Sequence, residues 1–123
     1  MKLNCHAMKK YIATYLLKLY KYIYYLSHHK CEFVLVRTYS AGVFAGYLEK
    51  REGKEVTLTK AIRIWYWDGA ASLSQLAMEG VTKPENCKFA MPVNEIILIE
   101  AIEIIPITKK AEDIIKSVKS WKQ

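Results

Sequence analysis

Apolar residues recur at helical spacing through the first thirty positions of the chain. Ile12, Leu16, Leu19, Ile23 and Leu26 follow one another at intervals of four, three, four and three. That is the seam of a helix packed along another helix. Tyr11, Tyr15, Tyr22 and Tyr25 form a second stripe beside it, and Lys10, Thr14, Lys18 and Lys21 a polar ridge. An apolar arc this broad exceeds what one core-facing side requires. The pattern therefore predicts a long helix over about His6 to Ser27, used in a subunit interface. An amphipathic helix lying on a membrane is the rival reading. Lys18 and Lys21 interrupt the stretch from Tyr11 to Leu26, so it falls short of the roughly 20 apolar residues a membrane span needs. It also lacks the small-residue cleavage site of a signal peptide.

From Cys31 the period changes to two. Phe33, Val34, Leu35 and Val36 form a β-branched and apolar run that ends in Arg37-Thr38-Tyr39. Gly42 and Gly46 bracket Val43, Phe44 and Ala45, and glycine within a strand pattern marks a bulge or a close backbone approach. Arg51-Glu52-Gly53-Lys54 reads as a hairpin turn. The returning strand, Glu55 to Trp67, places Ile62, Ile64 and Tyr66 on one side and Arg63, Trp65 and Trp67 on the other. A short helix over about Ala71 to Glu79 follows, with Asp68 or Ser72 as its cap and Gly80 at its end. A strand from Pro92 to Ile105 changes phase near Glu100-Ala101, which predicts a bulge there. Thr108 then caps a last helix whose apolar side is Ala111, Ile114, Ile115, Val118 and Trp121. The expected fold class is α+β: a mainly antiparallel β-core with a long N-terminal helix, a short central helix and a C-terminal helix. The chain of 123 residues reads as a single domain. Residues 1–30 form the helix for oligomer packing, 31–107 the β-core with the ligand site, and 108–123 the C-terminal helix.

Composition adds a partner class. The formal net charge is +7, and a basic excess favours anionic partners such as nucleotides, nucleic acid or acidic lipid. A lysine-rich solvated surface would give the same number. The three cysteines, Cys5, Cys31 and Cys87, are odd in number and form no CxxC pair. They suggest free thiols in a reducing, intracellular setting, with no zinc site.

The known catalytic signatures are missing. There is no phosphate loop of the Walker or Rossmann type, no GxSxG elbow and no HExxH. The histidines, His6, His28 and His29, all lie near the N-terminal helix, away from the sheet loops where a Ser/His or Cys/His set would need one. Adjacent His28 and His29 point apart on any regular element, so no metal site is expected. The expectation is a protein that is not an enzyme and uses no cofactor.

The densest unusual segment is Arg63-Ile64-Trp65-Tyr66-Trp67-Asp68-Gly69, which leads into the central helix. Aromatic faces can stack on a base, a helix N-terminus offers free N–H groups to phosphate, and Arg63 supplies a planar donor fork. The plain alternative is that the rings are core and Arg63 a surface charge. Arg37-Thr38-Tyr39-Ser40-Ala41-Gly42 is a second basic and polar patch, or ordinary turn chemistry. Asn86-Cys87-Lys88-Phe89 adds an amide that can read an adenine edge, a cation and a ring.

Three runs together, VRTYSAGVFAG (Val36 to Gly46), AIRIWYWDGAASLSQLAMEG (Ala61 to Gly80) and PENCKF (Pro84 to Phe89), resemble the phage Thoeris anti-defence sponge proteins of the first-described type. The resemblance covers roughly residues 34 to 122. It implies a protein in the cytoplasm of an infected bacterial host that binds a cyclic ADP-ribose-type immune signal (glyco-cyclic ADP-ribose) and withholds it intact from its effector. It implies a symmetric homodimer with ligand at the subunit interface. In some members it implies a trimer of dimers and a separate site for cyclic oligonucleotides. On the matched positions, Trp67, Tyr66 or Phe89 would stack the adenine and Asn86 would read its edge. Arg37, Arg63 and Lys88 would meet the pyrophosphate, and Asp68 or Gln75 would accept ribose hydroxyls. Membrane binding is not expected. A nucleic-acid-binding regulator is the alternative, disfavoured because no helix-turn-helix or RNP-type pattern is present.

Overall fold

The computed structural model describes residues 31–123. The helix expected over His6 to Ser27, and the interface inferred from it, lie outside those residues.

Among the described residues seven strands form one sheet: β1 (Phe33–Thr38), β2 (Val43–Glu52), β3 (Glu55–Tyr66), β4 (Lys88–Ala90), β5 (Val93–Leu98), β6 (Ala101–Pro106) and β7 (Ser120–Trp121). The order is β6-β1-β2-β3-β4-β7, with β5 also paired to β3. All pairings are antiparallel except β4 with β7. Two short helices accompany the sheet in the described residues, α1 (Leu73–Glu79) and α2 (Lys109–Ser117), with a 3-10 turn at Pro84–Asn86.

This corrects the α+β expectation: the described residues are mostly β-sheet, and their helices have seven and nine residues. The C-terminal helix is shorter than its periodicity suggests. Val118 leaves α2 in extended conformation, and the chain then pairs with β4 as β7, Phe89 opposite Ser120 and Ala90 opposite Trp121. Trp121 is therefore a strand residue. The long strand expected over Pro92 to Ile105 is two strands. At their junction Glu100 accepts a hydrogen bond from the Tyr39 amide, and the Ala101 amide donates to Lys54.

β5 lies beside β3 and β6 beside β1, yet only Ile99 and Glu100 separate them in sequence. The sheet must therefore curl until these two strands meet at one end. Its concave interior is filled by Val34, Val36, Phe44, Val56, Leu58 and Leu98. The convex side carries α1 and α2 over Phe33, Leu35, Ala45, Ile62, Ile64 and Phe89. Alternation along β1 and β3 sends successive residues to these two cores.

A bulge lets β3 serve two neighbours. Ala45 opposes Ile62 while Tyr47 opposes Thr59, so Lys60 and Ala61 together face Gly46. Lys60 adopts a left-handed φ of 48°. A Cβ on Gly46 would lie 3.1 Å from both Ala61 Cα and the Thr59 carbonyl oxygen, so glycine permits the close approach. Before the bulge β3 pairs with β5, and beyond it with β4.

The cysteine expectation is corrected in part. Cys31 is disulfide-bonded, and Cys87 is a free, buried thiol. Among the described residues no helix is long and apolar enough to cross a membrane.

Candidate functional site

Beyond the bulge, β3 runs Ala61-Ile62-Arg63-Ile64-Trp65-Tyr66. Ile62 and Ile64 are buried in the helix-side core, so Arg63 and Trp65 face the other way. The Arg63 guanidinium lies 4.9 Å from the centre of the Phe44 ring, whose side chain belongs to the concave core. On β4, Phe89 is buried and Lys88 exposed. On β7, Trp121 pairs with Ala90 on that same side. Three strands thus bring Arg63, Trp65, Lys88 and Trp121 to one face of the sheet.

The Trp65 and Trp121 rings are stacked, with centroids 6.5 Å apart and planes inclined by 11°. Trp65 is 65% exposed and Trp121 47%. The Lys88 ammonium sits 5.4 Å from the Trp121 ring. Such a contact is worth about 0.5–1 kcal/mol at an exposed site, and the ring pair about 0.5–1.5 kcal/mol. These terms hold the platform in shape but are too small to account for leaving two tryptophans in water. An aromatic surface flanked by cations is suited to stack a flat ring and neutralise an attached anion.

The other candidate residues fall elsewhere. Arg37 occupies the convex side of β1, where its Nε lies 3.4 Å from Glu103 across the strand pair. It is on the opposite face from Arg63. Phe89 is 1% exposed and packs in the helix-side core, so it has no open ring face for stacking. Trp67 comes after the strand ends. Its indole packs against that same core, and its Nε1–H donates to the Ala70 carbonyl. Tyr66 is half exposed and lies opposite Lys88 across β3 and β4, past a second bulge between Ile64 and Tyr66 that breaks the alternation there.

Asp68, Gln75 and Asn86 are occupied with one another and with the backbone. Asn86 Nδ2 donates to Asp68 at 2.9 Å. That bond leads the causes that hold the Asp68 carboxyl below its usual pKa, with the Lys83 charge assisting. Gln75 Oε1 accepts from the Ala71 amide at 2.7 Å, and the Gln75 amide donates to the Ser72 hydroxyl. This reciprocal capping fills the helix start, where phosphate was expected. The Asp68 amide points at Cys87 Sγ, 3.4 Å away, and burial pushes the Cys87 thiol pKa up. The nine expected contacts therefore divide: Arg63 and Lys88 belong to the platform, Tyr66 borders it opposite Lys88, and the other six lie elsewhere. Trp65 and Trp121 complete it.

A separate polar cluster lies under α2. Glu112 accepts from Lys116 at 2.7 Å and from the Tyr47 hydroxyl at 3.4 Å, and Lys116 also donates to the Tyr47 hydroxyl. Burial pushes the Glu112 carboxyl up, but the Lys116 bond and the Lys116 and Lys109 charges outweigh it and hold the pKa below the usual range. The cluster lines a cavity of about 480 Å³ with Glu32 and Phe33.

Charge is unevenly distributed. Residues 1–30 contain six lysines and no acid, while residues 31–123 contain 13 lysines and arginines against 12 acids. The +7 excess thus resides mostly outside the sheet, and the cations at the platform are a local feature.

A family model, a domain of unknown function (DUF6948), matches residues 31–115, and the chain belongs to that family. The match includes Arg63, Trp65 and Lys88 and stops before Trp121. No curated protein and no solved structure matches the chain.

Proposed function

We propose that this protein binds a nucleotide without transforming it, with the base on the Trp65–Trp121 platform and phosphate at Lys88 and Arg63. The observation that carries this reading is the exposed parallel pair of tryptophans with a lysine ammonium over one ring. Stacking is indifferent to which base is present, since every base has a π-face. Affinity in this reading comes from stacking and charge-assisted contacts rather than from base-edge recognition.

The sequence resemblance makes a cyclic ADP-ribose-type signal the first small ligand to try, in the cytoplasm of an infected host. In that form of the reading a second copy of the chain covers the platform, because sequestration requires most of the ligand surface to be enclosed.

The test is to incubate the protein with a cyclic ADP-ribose isomer and, separately, with AMP, following tryptophan fluorescence. Free ligand is then removed, the protein heated and the released material assayed. Quenching together with recovery of intact ligand is the expected result. Release of a linear product would make the protein a hydrolase, and absence of quenching by every nucleotide tried would remove the reading.

A further inference from the structure

The platform is built at a sheet margin. Among the described residues its last strand, β7, pairs only with β4, and Lys119 and Lys122, both exposed, flank Trp121 in the chain. Trp65 is about two-thirds and Trp121 about half open to water, and the four groups that define the site lie across one face. The cavity of about 480 Å³ is on the helix side, and its lining ions, Lys109 and Lys116 with Glu32 and Glu112, cancel in charge. An enclosed mononucleotide site normally covers 70–90% of the ligand, which an open platform on one chain does not do. An extended ligand can lie along such a platform and continue past both ends. Its base rings would stack while its phosphates meet cations spaced along the path.

We infer that the natural ligand of the Trp65–Trp121 platform is single-stranded nucleic acid, held by two successive unpaired bases on the indoles and by backbone phosphates at Arg63, Lys88, Lys119 and Lys122. This rests on the nucleotide reading above and narrows it to a polymer. The chemistry asks for flexible, unpaired bases. A duplex hides its ring faces within its own stack and offers the tryptophans none. Cations on the strand and on the segment around β7 flank the rings, which is how sequence-tolerant single-strand sites combine stacking with charge.

The experiment is fluorescence anisotropy with fluorescein-labelled 12-nucleotide oligothymidine, its RNA counterpart oligouridine and a 12-base-pair duplex, at about 50 and 200 mM salt. The single strands are expected to bind and the duplex to bind at least tenfold more weakly. Trp65→Ala should weaken binding roughly 5- to 150-fold, the range for loss of one stacked base, with partial recovery in Trp65→Phe. Lys88→Ala should flatten the salt dependence by about one phosphate contact. Lys50→Ala, at the distant hairpin where Lys50 pairs with Glu52, should leave binding unchanged. Circular dichroism establishes that each variant is folded. Equal affinity for the duplex, or oligomer binding indifferent to Trp65, would overturn the inference. Binding of AMP or cyclic ADP-ribose with no binding of either oligomer would overturn it while leaving the nucleotide reading in place. Loss of binding to all probes would remove both.

Discussion

Two aromatic residues in adjacent strands, Trp65 and Phe89, should lose very different amounts of stability on truncation. Phe89 is 1% exposed and sits among Ile64, Leu76 and Ile115 in the helix-side core. Replacing a buried phenylalanine with alanine removes the transfer free energy and leaves a cavity, at a cost of about 3–5 kcal/mol. That is a large part of the roughly 5–15 kcal/mol by which such a domain is stable. Trp65 keeps about two-thirds of its surface in water. A tryptophan can bury up to about 250 Å², so about 90 Å² is at stake, worth at most about 2 kcal/mol at 25 cal/mol per Å². This area already includes the contact with Trp121. Urea unfolding of Trp65→Ala and Phe89→Ala, followed by circular dichroism because one variant deletes a fluorophore, measures both costs. The expected order is Phe89→Ala about 3–5 kcal/mol below wild type and Trp65→Ala no more than about 2 kcal/mol below it. Equal losses would mean that Trp65 is a core residue and that the platform is a misreading of ordinary packing.

Gly69→Ala should destabilise the protein by about 2 kcal/mol or more. Gly69 has a φ of 90°, and an added Cβ would lie 2.5 Å from the Thr82 amide nitrogen and 2.6 Å from that of Lys83. A thermal midpoint within about one degree of wild type would contradict this. For the cluster under α2, the Glu112 carboxyl pKa is lowered in the folded state, so its contribution is present above the ordinary glutamate value of 4.5 and lost as pH falls below it. Wild type should lose stability on acidification below about pH 4.5 more steeply than Glu112→Gln; superimposable acid limbs in thermal scans would refute it.

The strands were the legible part of this chain because burial there alternates as β-geometry requires. The run from Phe33 to Val36, the Gly53 turn and the alternation of Ile62 and Ile64 against Arg63 and Trp65 each find their place in the sheet. Gly46 pointed to a bulge, and the bulge lies opposite it. Trp121 was not legible. Ala111, Ile114, Ile115 and Val118 fit a helical period that Trp121 continues by coincidence, while the chain leaves the helix at Val118 because it can pair with β4. Nor could periodicity say which rings face water. Trp67 and Phe89 read like Trp65, yet a turn secures the first against Ala70 and the helix-side core encloses the second. The alternation did carry one usable signal: with Ile62 and Ile64 in the core, Trp65 has to share the side of Arg63. Functional polar residues were harder still, since Asp68, Asn86 and Gln75 have the chemistry of ligand contacts and spend it on holding a turn and capping a helix.

At the proposed site ligand meets Trp65 and Trp121 and not Trp67. The chain has three tryptophans, and their indole N–H groups give separate signals in a proton–nitrogen correlation spectrum, assigned by substituting each with phenylalanine. Oligothymidine and cyclic ADP-ribose would be titrated in turn into labelled protein. The Trp65 and Trp121 signals should shift together with one saturation curve, while the Trp67 signal, fixed by its bond to the Ala70 carbonyl, stays in place. Movement of Trp67 alone, or three stationary signals at saturating concentrations of both probes, would contradict it.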